Sequence, residues 1–254
     1  MILCVDIGNT NIVLGCYDGE KLVMFSRIST DRSRMGDQYA VELKDILTLY
    51  DILPDSVDGA IISSVVPSLT EPMASAVTRA VGVKPKILKK ALYKDLIISL
   101  DNPSEIGDDL VVAAVAAKKK YTLPAILIDM GTATTITALD KDGVFLGGAI
   151  LPGVRVATDA IIARTSTLVG ISLEAPDNVI GKSTVDCMKS GAIFGTASML
   201  DGMCERMSSE LGGSVTVVAT GGLAKVVEPY CKTDIILDDM LLMEGLKLIY
   251  ETNE

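Results

Sequence analysis

The chain has 254 residues, 49% of them hydrophobic and 22% charged, the balance of a globular protein with a substantial core in one large or two small domains. Its formal net charge of −10 disfavours a nucleic-acid partner, which would need a clustered basic face, and its lack of histidine excludes serine–histidine hydrolases and histidine-ligated zinc enzymes. Any general base must then be a carboxylate, lysine, tyrosine or cysteine. No window supplies the ~18 uninterrupted apolar residues of a membrane span. Asp6 interrupts any export signal at once, so the expected compartment is the cytoplasm. Cys4, Cys16, Cys187, Cys204 and Cys231 are odd in number and widely spaced, with neither a CxxC pair nor a disulfide framework.

The first element is an apolar run, Ile2-Leu3-Cys4-Val5, ending in Asp6-Ile7-Gly8-Asn9-Thr10; it continues as Ile12-Val13-Leu14 and turns at Asp18-Gly19. This pattern predicts a β-hairpin. Residues 40–50 carry Leu43, Ile46, Leu47 and Tyr50 at helical spacing. Residues 58–66 read as a buried strand closed by Pro67, with a helix over 71–81 that tolerates Pro72 in its first turn. A run from Leu110 to Lys118 reads as a further helix, with Asp109 at its N-terminal end. The charged stretch 118–124 then marks a lobe boundary. Beyond it the first design recurs: Ala125-Ile126-Leu127-Ile128-Asp129-Met130-Gly131-Thr132, a run through Leu139, and a turn at Asp142-Gly143. A helix over 190–211 precedes a strand over 214–220 that enters Gly221-Gly222. The last helix, 238–251, is expected to pack back on the first lobe. Strands alternating with amphipathic helices predict an α/β fold. Two copies of one hairpin predict two similar lobes, 1–118 and 119–254.

The residue types at these hairpins suit a phosphate ligand. A strand-end carboxylate such as Asp6 can hold a hydrated divalent cation beside a triphosphate. Gly8 lets backbone approach closely, while Asn9, Thr10 and Asn11 offer short donors to phosphate oxygens. One copy alone reads better as an ordinary hairpin whose aspartate caps a turn. The second copy, with Asp129, Thr132, Thr134 and Thr135, supplies the same chemistry again. A strand entering Gly221-Gly222 adds a place where a flat base or a phosphate can lie against backbone.

Together these three elements resemble the two phosphate loops and the adenosine loop of the acetate kinase, sugar kinase and actin superfamily. Along nearly its whole length the chain resembles the type III pantothenate kinases. The resemblance rests on Asp6-Ile7-Gly8-Asn9-Thr10, Ser63-Ser64-Val65-Val66-Pro67, Asp101-Asn102-Pro103 and Gly107-Asp108-Asp109. It continues through Asp129-Met130-Gly131-Thr132, Gly147-Gly148-Ala149, Gly181-Lys182-Ser183-Thr184, Thr220-Gly221-Gly222 and Glu244-Gly245-Leu246. The family implies two ribonuclease H-like lobes, an actin-like ATPase duplication, with a nucleotide cleft between them. It implies ATP-dependent phosphorylation of pantothenate to 4′-phosphopantothenate, the first step of coenzyme A biosynthesis. ATP would be bound by Asp6, Gly8, Asn9, Thr10, Asn11, Thr132, Gly221 and Gly222, with Mg2+ reached from Asp6 through water. Asp109 takes the position of the catalytic base and Asp129 that of a monovalent-cation ligand, for K+ or NH4+. The acceptor positions are Leu100, Gly107, Asp108, Asp109, Leu110 and Thr184. The family also implies a homodimer.

Three positions depart from the family pattern, and all belong to the acceptor set. Leu110 stands where the family has arginine, Leu100 where it has tyrosine, and Ala113 where it has asparagine. A guanidinium is the natural bidentate partner for the pantothenate carboxylate, and leucine cannot replace it. Three readings follow: an active kinase whose carboxylate contact comes from Arg155 or Lys182; one subunit of a heterodimer completed by a paralogue; or an ATP-binding accessory or regulatory protein.

Overall fold

A computed structural model describes residues 1–253. In chain order the elements are β1 (Ile2–Ile7), β2 (Asn11–Asp18), β3 (Lys21–Ser29), α1 (Gly36–Leu49), β4 (Gly59–Ser64), α2 (Pro67–Val81), β5 (Lys86–Ile87) and α3 (Asp108–Lys120). There follow β6 (Ala125–Met130), β7 (Ala133–Leu139), β8 (Phe145–Pro152), α4 (Val154–Arg164), α5 (Thr184–Glu210), β9 (Thr216–Thr220), α6 (Ala224–Val227), β10 (Ile236–Leu237) and α7 (Leu241–Thr252). The chain divides into two units: Met1–Leu96 with Asn102–Lys119 and the described residues from Met240 onward, and Ile97–Asp101 with Lys120–Asp239. Among the described residues no helix is long and apolar enough to cross a membrane.

The first sheet has the order β3-β2-β1-β4-β5. Read from its far edge, the second has the order β8-β7-β6-β9-β10, the same arrangement position for position. In each, the first three strands pair antiparallel and the last two join in parallel. Even the register irregularity recurs, between Cys16 and Tyr17 in one copy and between Ala138 and Leu139 in the other. The chain is an α/β protein built from two ribonuclease H-like lobes. The hairpins expected from the sequence are present, each extended by a third strand, β3 or β8, into a three-stranded meander.

In the first unit, Leu3, Val5, Ile7, Ile12 and Leu14 meet Leu43 and Leu47 of α1 and Leu69, Met73 and Val77 of α2 in one apolar core. The other face of the sheet is covered by α7, which packs on β1, β2 and β4. Strands covered on both faces read as continuous apolar runs rather than alternating ones, which is why Leu3, Cys4 and Val5 are all fully buried. In the second unit, Ile126, Ile128 and Ile136 pack with Val154 of α4, with Ile193, Ala197 and Leu200 of α5, and with Val217 of β9.

Helix starts moved most from expectation. α2 begins at Pro67 rather than at 71, because proline at the first helical position needs no N–H partner and has its φ already set. α5 begins at Thr184 rather than 190, where the Ser183 hydroxyl accepts from the Asp186 N–H at 3.1 Å. α7 needs Gly245, since a Cβ there would be driven into the backbone carbonyl of Val112 on α3. Gly245→Ala is expected to lower stability by about 1–3 kcal/mol, the usual cost of overpacking a rigid contact. Urea denaturation checks this; an unchanged midpoint would show that α7 can shift freely on α3.

Candidate active site

At the end of β1 the backbone reverses through Gly8, whose N–H donates to Asn11 O at 3.0 Å. The turn exposes Asn9, Thr10 and Asn11, while Asp6 just before it is 7% exposed. β1 and β4 run parallel with Asp6 opposite Ser63 in register, so both side chains project from one face of the sheet. The fully buried Ser63 hydroxyl donates to Asp6 Oδ1 in a short hydrogen bond. That contact fixes the carboxylate's rotamer. Sequence alone assigns Ser63 no role of its own: it is one more residue of a buried strand, marked by a hydroxyl interrupting the apolar run and by lying in the Ser63-Ser64-Val65-Val66-Pro67 stretch of the resemblance.

The next residue, Ser64, links this edge to the start of α3: its N–H lies 3.4 Å from Asp108 Oδ2. Asp109 follows on the same turn and accepts from the Leu110 N–H at 2.9 Å through Oδ1. Gly107 leaves this carboxylate its place, because a Cβ there would sit 2.5 Å from Asp109 Oδ1 and push it aside. Burial raises the Asp109 carboxyl above the ordinary 3.8, against the backbone N–H groups that favour its ionised form. Burial likewise raises Asp108, with the neighbouring Asp109 charge adding to it. The Tyr93 phenol is raised too, first by burial and then by the Asp108 charge, which puts a tyrosine that the sequence did not flag beside this pair. Asp6, Gly8, Asn9, Thr10, Asn11, Gly107, Asp108, Asp109 and Leu110 all belong to the first unit.

The second unit holds Asp129, Thr132, Gly221, Gly222, Leu100 and Thr184. Asp129 on β6 lies in register with Thr220 on β9, the counterpart of Asp6 and Ser63. Gly221 follows with φ +95°, a conformation that favours glycine, and a Cβ on it would lie 2.7 Å from Asp129 Oδ1 and 2.6 Å from Met130 N. The end of β9 can therefore approach the Asp129 carboxylate only without a side chain. Thr132 is exposed, and its carbonyl accepts from Gly153 N at 3.1 Å, which ties this turn to the start of α4.

Among the acceptor positions, Gly107 to Leu110 are consecutive at the start of α3, whereas Leu100 is placed elsewhere. Leu100 belongs to a short extended stretch beside β8, where Ser99 N donates to Phe145 O at 2.8 Å, and it packs at Gly147. Thr184 is exposed at the first position of α5. Leu110 is half-buried, and Ala113 is buried in the apolar side of α3.

A sequence model of the type III pantothenate kinase family matches residues 2–206. The chain belongs to that family. The type III pantothenate kinase of Moorella thermoacetica is 39% identical over 253 residues, with 100% of both chains covered. That of Exiguobacterium sp. strain AT1b is 41% identical over 254 residues, again with 100% of both covered. Among solved structures, component A of the (R)-2-hydroxyglutaryl-CoA dehydratase of Acidaminococcus fermentans superposes with a TM-score of 0.57 at 14% identity, covering 96% of this chain and 94% of that one. The ethanolamine utilization protein EutJ of Carboxydothermus hydrogenoformans gives 0.56 at 14% identity, covering 97% and 89%. At such identity the likeness is one of fold.

Proposed function

We propose that this protein transfers the γ-phosphoryl group of ATP to the primary alcohol of pantothenate, forming 4′-phosphopantothenate at the start of coenzyme A biosynthesis. The observation that carries the reading is the half-buried Asp109 carboxylate, its pKa raised, at the first turn of α3 in a chain of this family. Phosphoryl transfer depends on alignment and charge compensation more than on covalent help. Asp109 accepts the proton of the attacking hydroxyl. Its raised pKa brings it closer to the pH at which it must take that proton, and the backbone N–H groups hold it in place. The turn over 8–11 presents donors to the phosphate oxygens, and Thr132 with Gly221 and Gly222 supports the nucleotide.

Among the described residues no group of three or more Asp, Glu, Cys or His side chains has the geometry of a metal cage. That suits Mg2+, which keeps several waters and is held by substrate phosphates with one or two carboxylates. Asp6 would hold it through water, and the ion would offset phosphate charge during transfer. Asp129, with the close backbone of Gly221, would hold the monovalent cation. The protein would act in the cytoplasm as a homodimer; Ile150, Val156, Ile161, Ile180 and Val185 of the second unit are large apolar residues left exposed, as a subunit contact requires. A second reading is favoured by one residue. Leu110 offers no cation for the acceptor carboxylate, which suits a subunit completed by a paralogue.

A coupled ADP-release assay with pantothenate tests both. Turnover by the chain alone supports the first reading, and turnover only after a paralogue is added supports the second. ATP binding without product under either condition would leave an accessory role and reject both.

A further inference from the structure

The segment between β3 and α1 is fastened to the turn that follows β1. Thr30 Oγ1 donates to Gly8 O at 2.7 Å, and Thr30 N donates to Thr10 O at 2.9 Å. The pairing of Asn11 with Ser29 brings the chain past the turn at this point. One residue on, Asp31 is anchored to the fully buried Tyr39: the Tyr39 hydroxyl donates to Asp31 O at 2.8 Å, and Asp31 N donates to that hydroxyl at 3.2 Å. Arg32 thus leaves a backbone fixed to the turn on one side and to the core on the other. Its guanidinium donates to Asn9 Oδ1 at 2.8 Å.

Neighbouring charges do not claim this group. The Asp31 carboxylate accepts from Ser33 N and Ser33 Oγ, and Arg34 pairs with Glu42. Among the described residues Arg32 has no carboxylate partner, in a chain with 33 acidic and 23 basic side chains. An exposed guanidinium held by one neutral amide oxygen keeps most of its five N–H donors available. It can exchange that oxygen for phosphate oxygens, which it binds more strongly and in bidentate fashion.

We propose that Arg32 is a phosphate-binding residue: it leaves Asn9 Oδ1 and closes on the outer phosphates of a nucleotide held by the turn over 8–11. This rests on the ATP reading given above. It also answers an electrostatic need, because Asp6, Asp108 and Asp109 make this end of the first unit acidic and a triphosphate adds further negative charge.

Calorimetric titration of the parent chain, Arg32→Ala and Arg32→Lys with Mg-ATP, Mg-ADP and AMP tests the assignment. Losing charge-assisted hydrogen bonds is expected to weaken ATP binding by about 10- to 100-fold in Arg32→Ala. ADP should lose less, AMP should be unchanged, and Arg32→Lys should recover part of the loss. Arg32 is exposed, and a preserved melting temperature confirms that the variants fold. An equal loss for ATP and AMP, or no loss for ATP, overturns the assignment while the kinase reading stands. A parent chain that binds no ATP overturns both.

Discussion

Replacing Asp109 by asparagine is expected to lower kcat for pantothenate phosphorylation by about 10²- to 10⁴-fold, the range a positioned general base supplies. The change preserves shape, leaves the Gly107 clearance intact, and removes only the capacity to take a proton. Mg-ATP affinity should be nearly unchanged, since the turn over 8–11 is a separate segment. The pH profile carries the sharper test. A base acts in its ionised form, so the rate falls as pH drops through its pKa. Burial places that pKa above the ordinary 3.8, so the acidic limb of kcat/KM should lie higher than for an exposed aspartate. Asp108 is part of the same titration, because each charge opposes the other's ionisation. Asp108→Asn should therefore move the limb downward. Equal rates for the parent and Asp109→Asn, or an acidic limb that survives in Asp109→Asn, would remove this residue from the role.

Leu110→Arg is expected to lower the KM for pantothenate by about 10- to 100-fold, the gain from one hydrogen-bonded contact between charged groups. Leu110 adjoins the proposed base and is half-buried at the first turn of α3. A long guanidinium can cross the apolar wall there and keep its head polar. It would also draw the Asp109 pKa down, so a modest fall in kcat at neutral pH should accompany the better KM. A pantothenate amide, which lacks the carboxylate, is the control. Its KM should not improve, and an improvement equal to that for pantothenate would mean that the introduced guanidinium acts through packing or Asp109 instead of an acceptor carboxylate. No improvement for either acceptor would place the carboxylate contact elsewhere, with Arg155 and Lys182 the next residues to substitute.

Local chemistry makes much of this protein legible in its sequence. Apolar runs halted by Asp6 and Asp129, each followed by glycine and short polar residues, could be little other than strand ends turning over. Their recurrence revealed a duplicated α/β fold, because a hairpin's register and turn residues are local properties. Helix starts were less legible: Pro67 and Ser183 begin α2 and α5 through capping geometry that outweighs apolar periodicity.

Long-range pairing decided the rest. Asp6 and Ser63 are 57 positions apart in the chain, and only the parallel register of β1 with β4 turns that serine into the carboxylate's support. The same holds for Arg32, which joins the turn over 8–11 because β3 returns beside β2, and for Leu100, which neighbours β8 although the chain soon continues into Gly107 and Asp109. Sequence by itself determined which residues could do chemistry, since that is a property of each side chain and its nearest neighbours. Tertiary structure decided which of them share a dry, oriented environment, since burial and hydrogen bonding depend on segments that meet only after the sheets have formed.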